Sequence, residues 1–532
     1  MLFFASIITT LCFIFTAFAE TTVNFEYGKV VGVSDQIEKF QGIPFALPPV
    51  GNLRFAPPLL YNQSLGTFRA DLFEKVGPVV KGLLKKVGTI REESASEDCL
   101  TLNVFRPIGT KEGDNLPVMF WIFGGGFFFG SNHQFQGESL VKRSVSMKQP
   151  VIVVAPNYRV GPYGFLPGKE ALADPTVSSN AGLLDQRLAM EWVNKFIFKW
   201  GGDPTKVTLF GESAGAISIS CHLTANGGDP QGLYRAVIMQ SGSTIPTESP
   251  TREQSAFDLV AKSCNCSDAP DKIKCLRKAS LDCISSGTKE AGNFFTYRGI
   301  ALPWLPRPVE GTYYGSNGVS ALNAGSYASV PIITGTQYDE GTIFNLGNRN
   351  LTTDAHVRTW LTETVFKQAS GDVIDRLMQL WPQDPRQGSP FDTGYLYSLT
   401  PQWKRLNAMV GDWIFHSLRR HVTQSRQAKQ PVWAYSSRAF RWVPFLGSFH
   451  ASDLLSVWGV LPTRPTDELQ SRWIAFANTL NPNTPGYIYW PNYGNNGTLI
   501  EFSDTVSTRL KIDDYRKAAF AYVIENIQHL SM

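Results

Sequence analysis

Apolar and polar residues alternate across residues 23–33, with Gly28 and Gly32 as turn points, and this period of two predicts short strands of a small antiparallel meander. A different pattern follows. Residues 100–105 read as a strand, and residues 117–123 and 151–156 are continuous apolar runs, as expected of parallel strands covered on both faces. Residues 180–198 then place Leu183, Leu184, Leu188, Trp192, Val193 and Phe196 at helical spacing, and residues 207–210 form another buried strand. Further strands are expected at residues 235–239, 330–334 and 432–436. Strand and helix in alternation predict an α/β chain, and with no internal repeat or low-complexity linker the reading is one large catalytic domain over residues 20–532.

Composition narrows the class. The chain has 532 residues, is 43% hydrophobic and contains 35 Phe and 13 Trp, enough apolar side chain to fill a large core. Its formal charge of +4 is spread without a basic block, which argues against a nucleic-acid partner. The first 19 residues carry no charged side chain and end in Ala17-Phe18-Ala19 before Glu20, the form of a secretory signal with an A-x-A cleavage site. No other apolar stretch is long enough for a membrane span, so a secreted, extracellular chain is expected. Beyond Cys12 there are six cysteines, four of them at Cys264, Cys266, Cys275 and Cys283, where the lack of nearby His favours local disulfides over a metal site. Sequons at Asn62, Asn265, Asn350 and Asn496 predict exposed loops that carry glycan.

The sharpest chemical signal is Gly211-Glu212-Ser213-Ala214-Gly215, set between a buried strand and a helical stretch. This is G-x-S-x-G in the strand-to-helix context of a nucleophile elbow, where Gly is needed because a Cβ would collide with neighbouring chain. Three glycines, Gly124, Gly125 and Gly126, follow the strand over residues 117–123, and their N–H groups with that of Ala214 are candidate oxyanion donors. Among seven histidines, His450 lies in a loop after the strand at residues 432–436, where this architecture places its base. The acid is expected near residue 339, and spacing leaves Asp339 and Glu340 as equal candidates.

These motifs resemble the type-B carboxylesterase/lipase family, most closely the secreted fungal yeast-type lipases and sterol esterases. The resemblance is carried by Gly42-Ile43-Pro44-Phe45-Ala46, the run from Pro48 through Arg54 and Phe55, and Glu97-Asp98-Cys99-Leu100. It continues through Asn180-Ala181-Gly182-Leu183-Leu184-Asp185-Gln186 and Gly201-Gly202-Asp203-Pro204 to the Ser213 elbow. It implies an α/β-hydrolase fold with a large, mostly parallel central sheet flanked by helices, a small N-terminal antiparallel meander and a lid insertion at about residues 62–98. It implies a Ser213, Glu340, His450 triad, oxyanion donors at Gly125, Gly126 and Ala214, and supporting positions at Glu212 and at Ser241 or Ser243. It also implies a disulfide from Cys266 to Cys275, while the pairing of Cys264 and Cys283 stays open. Residues 60–98 lack the cysteine with which family members staple the lid to the Cys99 position.

The lid segment places Leu72, Val76, Val80, Leu83 and Val87 at helical spacing beside Lys75, Lys81, Lys85 and Lys86, an apolar stripe suited to a transient lipid interface. Phe127, Phe128 and Phe129 are expected to line the acyl site. The function expected is a serine ester hydrolase acting on lipid-like esters, a lipase or sterol esterase that uses no cofactor and no metal. A general carboxylesterase for soluble short-chain esters is the alternative. A non-catalytic, cholinesterase-like binding protein is disfavoured by the retained Ser213, Glu340 and His450.

Overall fold

The computed structural model describes residues 19–70, 96–494 and 496–532. Among the described residues thirteen strands form one sheet: β1 Ala19–Phe25, β2 Gly28–Ser34, β3 Glu38–Pro44, β4 Gly66–Arg69, β5 Thr101–Arg106, β6 Leu116–Ile122, β7 Ile152–Pro156, β8 Gly202–Glu212, β9 Ala236–Gln240, β10 Ile332–Gln337, β11 Val432–Ser437, β12 Thr498–Phe502 and β13 Arg509–Ile512. Their order is β1-β2-β3-β5-β7-β6-β8-β9-β10-β11-β12-β13, with β4 paired to β2. From β7 through β6, β8, β9, β10 and β11 to β12 all neighbours are parallel. Strands β7, β9, β10 and β11 are buried along their whole length, which is why each opens on consecutive apolar residues and not on an alternation.

Strands β1 to β3 are antiparallel, as the alternation implied, while β4 lies parallel to β2, and they are not a separate unit. β3 pairs β5 and β5 pairs β7, so the meander continues the main sheet. Alternation marks a half-buried strand and is blind to its partner, which here comes from about sixty residues further along. Strands β3, β4, β12 and β13 went unforeseen; β13 is a short edge strand with mostly exposed side chains, whose alternation spans only four residues.

The helix Ala181–Phe196 packs on β8, and the helix Ala214–Thr224 packs on β8 and β9. Several arginines are buried against a carboxylate partner. Arg159 forks onto Asp185 at 2.7 and 2.8 Å, and Arg54 onto Glu97 at 2.6 and 2.7 Å. Each presents two N–H groups to two carboxylate oxygens, the geometry that best offsets the cost of burying both charges.

Disulfides join Cys264 to Cys283 and Cys266 to Cys275, and Cys99 and Cys221 are free and buried. The asparagines of all four sequons, Asn62, Asn265, Asn350 and Asn496, are exposed. The expected signal segment, apart from Ala19, and the lid's apolar stripe fall outside the described residues. Among the described residues no helix is long and apolar enough to cross a membrane.

Candidate active site

The parallel order places the C-terminal ends of β6, β8, β10 and β11 along one edge of the sheet, with β9 between β8 and β10, and the residues of interest leave those ends. Gly124, Gly125 and Gly126 follow β6, Ser213 follows β8, Glu340 follows β10, and His450 ends the loop after β11. Ser213 has φ 55° and ψ −123°, a conformation rarely adopted by a residue with a side chain. The turn is held because its N–H donates to Gln240 O at 2.9 Å and because the helix Ala214–Thr224 begins at the next residue. A Cβ at Gly215 would stand 1.9 Å from Ile122 O on the neighbouring strand, and one at Gly211 would stand 2.8 Å from the same oxygen. The elbow therefore requires glycine at both positions.

His450 Nδ1 donates to Glu340 Oε2 at 2.6 Å, and the other oxygen of Glu340 accepts the Gln337 N–H at 2.7 Å. Exposure rises outward through the three residues: Glu340 1%, His450 4%, Ser213 9%. Asp339, the competing acid, points elsewhere. Its carboxylate accepts from Ser389 Oγ at 2.9 Å, Phe391 N–H at 2.7 Å and Ser448 N–H at 3.0 Å, and so anchors the loop that carries His450. Burial pushes Asp339 up to about 6, against those three bonds.

His450 Nε2 lies 3.2 Å from Glu212 Oε1, and neither atom has a hydrogen-bond partner. A Cβ at Gly124 would stand 2.7 Å from Glu212 Oε2 and 3.0 Å from Ser213 Cβ, so the glycine run, Glu212 and the nucleophile converge at one point. Burial pushes Glu212 up to about 8, opposed by the His450 charge. Burial also disfavours a charged His450, but Glu212, Glu340 and Asp453 together outweigh it and raise its pKa. The two shifts belong to one coupled pair. Beside a neutral imidazole Glu212 keeps its proton, and beside an imidazolium its carboxylate becomes favourable.

Gly125 and Gly126 have φ of +107° and +62°, and Gly125 O accepts the N–H groups of Phe128 and Phe129 at 3.1 and 3.2 Å. Among the described residues, the N–H groups of Gly125, Gly126 and Ala214 donate to no backbone carbonyl. Of the three phenylalanines, Phe127 packs its ring on Phe165 within the core, and Phe128 is buried. Phe129 packs on Phe294, which meets Phe344, and Phe344 and Phe415 lie 4.9 and 4.6 Å from the His450 ring. The hydroxyls of Ser241 and Ser243 are buried without a hydrogen-bond partner.

Several members of this cluster escaped the sequence reading. Phe294, Phe344 and Phe415 come from distant segments with no shared motif. Asp453 was legible, three residues after His450; its carboxylate accepts from Gln240 Nε2 at 2.9 Å and Tyr435 OH at 3.0 Å, and burial pushes it up to about 6. Other histidines are absorbed by structure: His222 bonds Gln186 and Tyr313 at 2.9 Å each, and His416 bonds Thr336 and Tyr515 at 3.0 Å each. Among the described residues no cluster of ligating side chains could hold a metal ion.

The model of the Carboxylesterase family matches residues 19–520. The chain belongs to the carboxylesterase family. It is a carboxylic ester hydrolase, closely related to secreted fungal yeast-type lipases. It is 38% identical over 535 residues to the secreted triacylglycerol lipase LIP1 of Gibberella zeae, covering 96% of this chain and 90% of that lipase. It is 42% identical to Lipase 5 of Diutina rugosa, covering 85% and 86% respectively. The crystal structure of EstA from Aspergillus niger superposes with a TM-score of 0.84 at 24% identity, covering 97% of this carboxylesterase and 99% of EstA, a likeness of fold.

Proposed function

We propose that this carboxylesterase hydrolyses lipid-like esters through an acyl-enzyme, with Ser213 as nucleophile, His450 as base and Glu340 as the acid that orients it. The observation that carries the reading is the 2.6 Å contact of His450 Nδ1 with Glu340 Oε2, beside a serine held at positive φ. With its Nδ1 proton committed to Glu340, His450 offers a bare Nε2. Ser213 Oγ gives its proton to that nitrogen as it attacks the ester carbonyl. The N–H groups of Gly125, Gly126 and Ala214 receive the negative charge on the tetrahedral oxygen. His450 then protonates the leaving alcohol, and water repeats the sequence on the acyl-enzyme.

Glu212 stabilises the imidazolium in this scheme, since formation of that cation favours loss of the Glu212 proton. Lipid-like substrates are supported by the aromatic surround of His450 and by relatives named as triacylglycerol lipase and lipases. A secreted location is supported by the apolar opening segment, the two disulfides and the likeness to a secreted triacylglycerol lipase and a secreted lipase. Residues 1–19 act as the signal, residues 20–532 as one catalytic domain, and the exposed sequons accept glycan.

The test pairs a serine-directed phosphonate with a substrate panel of p-nitrophenyl butyrate, emulsified triolein and cholesteryl oleate. Stoichiometric label on Ser213 and turnover of a long-chain ester are expected. Folded protein that takes no label at Ser213 would remove the mechanism, and turnover of butyrate alone would make the chain a short-ester carboxylesterase.

A further inference from the structure

Of the 13 tryptophans, twelve are buried and one, Trp442, is 65% exposed. It lies in the loop of residues 438–449, which runs from the end of β11 to His450. The turn around Trp442 is built with two aromatic residues at positive φ, Phe440 at 66° and Phe445 at 63°, and it is pinned by Asp504, which accepts the Phe440 N–H at 2.8 Å and the Trp442 indole N–H at 3.1 Å. A second loop, residues 391–399, packs against it through Tyr397 on Phe445 at 5.4 Å and through Arg441, which donates to Phe391 O at 2.9 Å. That loop exposes Tyr395 by 70% and Leu396 by 65%. Beneath it, the buried Lys404 ammonium donates to Thr393 Oγ1 and Gly394 O at 2.7 Å each. Lys404 belongs to the helix Trp403–Gly411, which packs on the turn carrying Glu340. The exposed apolar side chains thus stand on fixed loops at the same end of the sheet as the catalytic groups.

The charges among them are matched locally. Asp392 is held by Arg438 at 2.7 Å and Arg441 at 3.5 Å, and Asp384 by Arg386 at 3.0 Å, whose guanidinium lies over the Tyr395 ring at 5.9 Å. An anionic membrane is engaged by surplus cations. A surface with paired charges and exposed Trp, Tyr and Leu suits an uncharged lipid phase, into which the apolar side chains transfer while amphipathic rings remain at the boundary.

We propose that these two loops form a docking surface on which the enzyme seats on the surface of a neutral ester-lipid droplet. The proposal rests on the reading of lipid esters as substrate, and it assigns that substrate's aggregate to a fixed part of the protein.

The test uses full-length secreted protein and triolein droplets coated with phosphatidylcholine brominated on its acyl chains. Because Trp442 is the one exposed tryptophan, bromine should quench a small fraction of the emission, and Trp442→Phe should abolish that quenching while binding persists. The double variant Tyr395→Asp, Leu396→Asp should lower partitioning onto the droplets by at least about tenfold, the scale expected when large apolar contacts are lost. Its kcat/KM on soluble p-nitrophenyl butyrate and its phosphonate labelling at Ser213 should match wild type. Adding phosphatidylglycerol to the coat should leave partitioning unchanged. Droplet binding without quenching would overturn the proposal, as would binding that requires phosphatidylglycerol or a dimer in sedimentation equilibrium that the double variant dissolves. Quenching without triolein hydrolysis would refute the lipase reading and leave the docking surface supported.

Discussion

Replacing Glu340 with Gln removes one charge and one acceptor from a site where both oxygens are in use. Glu340 Oε1 takes the Gln337 N–H at 2.7 Å and Oε2 takes His450 Nδ1 at 2.6 Å. If the Gln oxygen stays on Gln337, its NH₂ faces Nδ1, and the imidazole must move its proton to Nε2 to accept it. The base then has no free lone pair for Ser213. If the amide turns the other way, its NH₂ opposes the Gln337 N–H in a buried site, at a cost of about 1–3 kcal/mol. In either case the imidazolium formed during attack loses its compensating anion. The expected loss in kcat/KM is about 10³ to 10⁴-fold, or ~4–5.5 kcal/mol of transition-state stabilisation. The assay is p-nitrophenyl butyrate hydrolysis across pH by protein with unchanged circular dichroism. Glu340 is one of the anions that raise His450, and the base works only when deprotonated, so activity rises with pH through its pKa. Removing Glu340 lowers that pKa and should move the acid limb to lower pH. Asp339→Asn is the control: it loosens the Ser389, Phe391 and Ser448 bonds and lowers stability, while sparing most of the rate. A folded Glu340→Gln enzyme within tenfold of wild type, or equal rate losses in the two folded variants, would refute the argument.

Two further outcomes follow from burial. Glu212 is pushed from 4.5 to about 8, so the folded state holds a proton there that the unfolded state releases, and wild type loses stability as pH rises between these values. Glu212→Gln stays neutral, so its melting temperature should gain on wild type from acid to mildly alkaline pH, and a constant difference across that range would contradict the assignment. Burial pushes the Cys221 thiol up to about 12 and Cys99 beyond the usual thiol range, so neither should react with Ellman's reagent in native protein. Residues 20–532, denatured without reductant, should release two thiols, and any other number would mean a different disulfide set.

The parts of this protein that depend on short stretches of chain were legible in its sequence. The buried strands are apolar runs because both faces are covered, and Gly211 and Gly215 bracket Ser213 because Ile122 O leaves no room for a Cβ at either. The apolar runs and the glycine spacing are written in short stretches of chain, although the Ile122 oxygen that excludes a Cβ comes from the neighbouring strand. His450 could be chosen from seven histidines for the same reason, by its loop after a strand. The choice between Asp339 and Glu340 could not be made from spacing, since adjacent carboxylates differ only in which way the chain turns after β10. The resemblance to the family pointed to Glu340, and the tertiary structure separates the two side chains, sending Asp339 to Ser389, Phe391 and Ser448 and Glu340 to His450. The joining of the meander to the main sheet, the placing of Phe127 in the core, and the gathering of Phe294, Phe344 and Phe415 near the imidazole were decided at the same level. Each depends on packing between segments far apart in the chain, where many pairings satisfy the same local pattern and only the closed core selects one.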